Sequence, residues 1–152
     1  MNGLAACARW WLIAAALCLV GLGLATYLTV TSLGDRGPAC GLIPGCVEVA
    51  ASEYSRVAGF PTAGIGVIGF AAMLLGSLAA AGLERPPGWL RLGLGVGAAF
   101  AAGFSVYLTV LEFTVIRAVC VYCFASAVVS WTLPVPLLLA ERATRRMGQH
   151  EG

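Results

Sequence analysis

Four stretches of the chain carry no charged residue: Trp10–Gly34, Val57–Leu83, Leu92–Leu111 and Ala118–Ala140. Each meets the length of about 20 residues that lets a helix cross a bilayer. Backbone groups cannot hydrogen-bond to lipid, so spans of this kind must be helical. The pattern therefore predicts an all-α membrane protein, a bundle of four transmembrane helices at about 10–34, 57–83, 92–111 and 118–140. A small-x-small site at Gly23-Leu24-Ala25 suggests a cleaved signal, but the apolar run continues to Leu33, which favours a retained helix. Gly59-Phe60-Pro61 is a break, and Thr62 starts the second helix. Gly64, Gly66, Gly69 and Gly76, and Gly93, Gly95, Gly97 and Gly103 in the third span, suit close helix contact. Pro134 and Pro136 predict a kink in the last span.

Between the runs, one polar segment is sizeable. Gly34-Asp35-Arg36-Gly37-Pro38 is a turn signal, and Val47–Arg56 is expected to form a short amphipathic helix on the membrane surface. The remaining connections are Glu84–Arg91 and a short turn, Glu112–Arg117.

Composition agrees with the pattern. The 152 residues are 60% hydrophobic and 11% charged, with a mean hydropathy of +0.91. Soluble domains are about half apolar and about a quarter charged. The length favours a single membrane domain over 1–152. A net charge of +2 gives no reason to expect nucleic acid.

All the basic residues are arginines, clustered at the ends of the runs. Four spans put Arg9, Arg85, Arg91, Arg142, Arg145 and Arg146 on one side and Arg36, Arg56 and Arg117 on the other. Positive residues favour the inside. A multi-pass protein of the cell membrane with cytoplasmic termini is the expectation, with the loop Asp35–Arg56 facing outward.

Six cysteines then need sorting. Cys7 and Cys18 fall at or inside the first run, where a thiol is a small hydrophobe. Cys40 and Cys46 lie in the outer loop, and Cys120-Val121-Tyr122-Cys123 opens the fourth span on the same side. Outside the cytosol disulfides persist. A C-x-x-C serves zinc, disulfide exchange or a structural bridge. Zinc would take Cys40, Cys46, Cys120 and Cys123, but five residues separate the first pair, more than the usual gap of about two to four. No metal is expected. Exchange suits a helix start, where unpaired N–H groups and the macrodipole favour a thiolate. Cys120 is nearer water and suits a loop cysteine as partner. Cys123 lies one turn deeper, where a flat apolar electrophile such as a quinone could dock. Ser52 is either helix-face polarity or a donor to a quinone oxygen, and spacing alone does not separate the two. Ser55 is a weaker candidate of the same kind. Glu112 and Arg117 bracket the outer turn as expected interfacial anchors.

These residues resemble the vitamin K epoxide reductase family, most closely its bacterial members. The carriers are Cys40-x5-Cys46, Ser52 six residues on, Gly59-Phe60-Pro61 leading into a glycine-bearing helix, and Ala118-Val119-Cys120-Val121-Tyr122-Cys123. The resemblance implies a four-helix bundle around a quinone (menaquinone, ubiquinone or a vitamin K-like molecule), capped by the loop helix. It implies Cys120 and Cys123 as the active pair, Cys123 touching quinone. It also implies Cys40 and Cys46 as shuttle cysteines, a Cys46–Cys120 intermediate, and Ser52 in the pocket. Thr62 stands where members often carry Asn and joins the expected quinone-binding residues. Ala127 stands where the animal enzymes have Tyr, which sets the chain apart from them where vitamin K epoxide is concerned.

The activity implied is that of a quinone-dependent thiol-disulfide oxidoreductase driving disulfide formation. The expected partners are membrane lipid and a thioredoxin-fold, DsbA-like protein outside the cytoplasm. Many bacterial members carry a fused thioredoxin domain. This chain runs about a dozen residues past its last span, so the partner is expected to be separate. The DsbB type of oxidase has its C-x-x-C in the first outer loop, unlike this chain. A non-catalytic tetraspan protein with structural disulfides is the alternative from another class.

Overall fold

A computed structural model describes residues 2–33, 49, 56–57 and 60–149. Helix α1 spans Asn2–Leu33. Strands β1 (Arg56–Val57) and β2 (Phe60–Pro61) pair antiparallel, Arg56 opposite Pro61 and Val57 opposite Phe60. Helices α2 (Thr62–Gly82) and α3 (Gly88–Leu111) follow, and α3 runs into a π-helical turn, Glu112–Ile116. Helix α4 (Val121–Thr132) leads through Leu133 into α5 (Pro134–Gln149).

Among the described residues, four helical segments have the length and apolarity to cross a membrane: Cys7–Leu33, Thr62–Gly82, Gly88–Ile116 and Val121–Arg146. The expected bundle of four spans is present, with shifted ends. The helix at the second run starts at Thr62, because Phe60-Pro61 is extended and Pro61 is its N-cap. The third helix starts at Gly88, before the uncharged run, because Pro87 stands at its N-cap and Arg91 is absorbed into the first turn. The expected turn at Glu112–Arg117 is instead a wide helical turn that closes at Arg117, a left-handed residue at φ 54°. The fourth span breaks at Leu133, as Pro134 and Pro136 withdraw two backbone donors from it. The segment expected as a surface helix, Val47–Arg56, lies mostly outside the described residues; Val49 is helical and buried, and Arg56 belongs to β1.

Helix α1 packs most extensively along α2 and also meets α4 and α5. Its contact with α2 is close at Gly21, where an added Cβ would meet the Phe70 ring at 2.5 Å. Gly97 and Gly76 serve the contact of α2 with α3, an added Cβ meeting Met73 at 2.8 Å and Leu94 at 2.9 Å. The packing expected of every span glycine does not hold: Gly69, Gly93, Gly95 and Gly103 face open space. Near the chain ends a continuous core joins Cys7, Trp11, Ala14, Cys18, Leu133 and Ala140. Cys7 Sγ lies 3.2 Å from Thr144 Oγ1, so the two ends of the described chain meet. Arg91 and Glu141 bridge α3 to α5 at 3.1 Å, and Arg145 adds a second contact to the same carboxylate. We call this the terminal end of the bundle, and the opposite one the cysteine end.

Candidate active site

The site begins with how α4 starts. A helix leaves its first N–H groups without partners. Cys120, extended at φ −94° and ψ 114°, is the N-cap, and its Sγ accepts the N–H of Cys123 at 3.4 Å. The first helical bond then runs from the Phe124 N–H to the Cys120 carbonyl at 2.9 Å. One cysteine of the C-x-x-C thus caps the helix that carries the other. The spacing makes this possible, because the residue three past an N-cap offers a free amide.

Both sulfurs are free thiols, and Cys120 is 1% exposed. The Cys123 thiol hydrogen-bonds to the Cys120 sulfur. That bond, together with the Cys123 amide, holds the Cys120 thiol below the ordinary range, against the opposing pull of burial and of the Glu112 carboxylate.

Next to the pair lies an apolar cavity of about 400 Å³, lined from α1, α2, α3 and α4. Ligand pockets begin at about 300 Å³ and combine apolar walls with a few convergent polar groups. The walls here include Leu28, Phe70, Met73, Phe100 and Phe104. The polar members are Ser32, Thr62, Ser105, Thr109, Glu112, Ser126 and Ser130, together with Cys120 and Cys123. A quinone ring needs a flat apolar slot with few hydrogen-bond donors, and this donor set fits one.

Of the residues singled out from the sequence, the structure brings Cys120, Cys123 and Thr62 to this cavity. Ala127 lines it as well and supplies no hydroxyl. Cys40, Cys46, Ser52 and Ser55 lie outside the described residues. Val49, three residues beyond Cys46, packs in one cluster with Leu28, Ala118 and Cys120. Three residues of chain reach at most about 11 Å.

Glu112 is the correction. It was expected to be an interfacial anchor, and it is 5% exposed and turned inward. Its carboxyl meets the Cys120 backbone N–H and the Cys123 side chain. The signal was available: Ser105, Thr109 and Glu112 are four and then three residues apart, a polar stripe on one face of an apolar helix. Arg117 does stay at the surface, as expected.

Residues 11–137 match the model of the Vitamin K epoxide reductase family, and the chain belongs to that family. It is an oxidoreductase family of the membrane, which accords with the four spans and the thiol pair found here.

Proposed function

We propose that this family member passes electrons from the thiols of an extracytoplasmic thioredoxin-fold protein to a membrane quinone, and so drives disulfide formation. The observation that carries the reading is the thiol pair lining a 400 Å³ apolar cavity inside the bundle. In this reading the partner's thiols reduce a Cys40–Cys46 disulfide. The freed Cys46 thiolate attacks Cys120, and the exchange returns Cys120 and Cys123 to dithiol form. Val49, three residues beyond Cys46 in the chain, packs in one cluster with Cys120, which supports the proximity this requires.

Cys123 then delivers the electron pair inside the cavity, and the Cys120–Cys123 bond re-forms. The sum is partner dithiol plus quinone giving partner disulfide plus quinol. Quinone, when bound, supplies the two-electron sink. Thr62 and Ser52 are the proposed groups for its oxygens, and Phe100 and Phe104 exclude water around it. The arginine distribution supports an outward-facing cysteine end and cytoplasmic termini.

The test is quinone reduction by purified protein in detergent with a small dithiol as donor, for the wild type and Cys123→Ala. Turnover in the wild type and only background in the variant is the expected result. Undiminished turnover in the variant, or none by the wild type with several quinones, overturns the reading.

A further inference from the structure

A carboxylate buried in a bilayer-spanning bundle without a cation is costly, and its presence marks function. Glu112 is such a group. It is 5% exposed, and among the described residues no arginine pairs with it. The backbone is unusual where it sits. The π-helical turn opens at Glu112, and the left-handed Arg117 folds the chain back onto α4. Turns of this kind concentrate at functional sites. The result is a carboxyl that lines the cavity and meets the Cys123 thiol and the Cys120 amide.

We propose that Glu112 is the proton carrier of the electron-exit step: its carboxylate takes the proton that leaves the Cys123 thiol and hands it to the oxygen of the reduced acceptor in the cavity. The inference rests on the quinone reading above. The balance is as follows. The Cys123 S–H bond breaks and its proton bonds to a Glu112 oxygen. The sulfur joins Cys120 in a disulfide, and two electrons go to the quinone. Glu112 returns its proton to one quinol oxygen. The second proton, which Cys120 released on ionising, comes back from water at the cysteine end.

Geometry makes Glu112 the group for this work. Ser32, Thr62, Ser105, Thr109, Ser126 and Ser130 also line the cavity. Hydroxyls do not exchange protons near neutral pH as a carboxyl does. Ser130 and Thr109 are further committed to backbone carbonyls, at 3.0 Å and 2.8 Å.

The first measurement is a reduced-minus-oxidised infrared difference spectrum of quinone-free protein in detergent, where the proton taken from Cys123 has no acceptor oxygen and stays on Glu112 in the disulfide form. The expected result is a carboxylic-acid C=O band that shifts in D2O and is missing from Glu112→Gln. The second is quinone reduction: Glu112→Gln falls by about a hundredfold and Glu112→Asp recovers part of the loss. Reduction of the Cys120–Cys123 disulfide by a small dithiol, which asks for no proton delivery to the acceptor, falls far less than quinone reduction in both. A purely structural carboxyl would slow all steps together and give no redox-linked band. No band in the wild type, a band that persists in Glu112→Gln, or quinone reduction at full rate by that variant overturns the proposal. A wild type that shows the band and reduces no quinone sinks the quinone reading instead. If Glu112→Gln unfolds, Glu112→Asp still decides the matter, because its band must move with the carboxyl.

Discussion

The two ends of this bundle are built from the same residue types and do opposite things with them. At the terminal end, Cys7 and Cys18 are buried among Trp11, Ala14, Leu133 and Ala140, and neither borders the smaller cavity of about 260 Å³ that Trp11, Arg91 and Glu141 line there. At the cysteine end, Cys120 and Cys123 border a 400 Å³ cavity and a carboxyl. The carboxylates differ in the same way. Glu141 is matched by Arg91 and Arg145, whereas Glu112 faces thiols and an amide. Lipid offers no hydrophobic drive between helices, so contact area and polar pairing decide where the bundle holds together. The terminal end has both. The cysteine end gives up contact to make room for a ligand. What a cysteine does in this chain is therefore set by the void beside it and by the helix terminus under it.

If that division is right, the largest loss of stability should come from the packed end. Trp11 is 1% exposed, and its indole N–H has no partner among the described residues, so the ring contributes packing alone. Trp11→Ala should cost about 3 kcal/mol, near the low end for a large aromatic truncation, because the transfer component is missing in lipid. Thermal or denaturant unfolding in detergent measures it. The folded variant should alkylate Cys120 at the wild-type rate. Unchanged stability with altered chemistry at Cys120 would mean that the two ends are not separable.

A smaller effect sharpens the other side of the comparison. The Cys120 thiol is held below the ordinary range chiefly by the Cys123 thiol. A lowered pKa leaves more thiolate near neutral pH, so alkylation of Cys120 should level off at a lower pH than for an ordinary cysteine. Cys123→Ala removes the main donor and leaves burial, which acts the other way. The midpoint should then move up. Mass spectrometry of Cys120 after timed alkylation across a pH series reads both midpoints. A midpoint that stays in place in the variant would show that the helix start, and not the partner thiol, sets its reactivity.

The sequence made the spans legible because their signal is long and uninterrupted, and it made Cys120 and Cys123 legible because a C-x-x-C at a helix start is a local feature. It did not show where α3 ends. The wide turn at Glu112–Ile116 depends on how α3 meets the start of α4, which no window of α3 contains. Glu112 departs from its sequence context for a related reason: a charge at the end of an apolar run ordinarily snorkels to the interface. Only the stripe with Ser105 and Thr109 argued otherwise. The glycines failed as a class for the same physical reason, since close contact depends on the neighbour opposite. Gly97 has Met73 opposite it, and Gly95 has nothing.

The smallest effect is the sharpest test of the division. Cys7 offers Thr144 a weak thiol contact at 3.2 Å and Ala140 one at 3.9 Å; Cys18 is wholly buried among apolar neighbours. Replacing both by alanine removes two sulfurs and a weak hydrogen bond, which should cost about 1 kcal/mol each at most. Turnover with quinone and a dithiol donor should stay at the wild-type level, because neither thiol lines the cavity or meets Cys120 or Cys123. A modest stability loss with intact turnover is what a packing role requires. Turnover cut tenfold in a well-folded double variant would place redox chemistry at the terminal end.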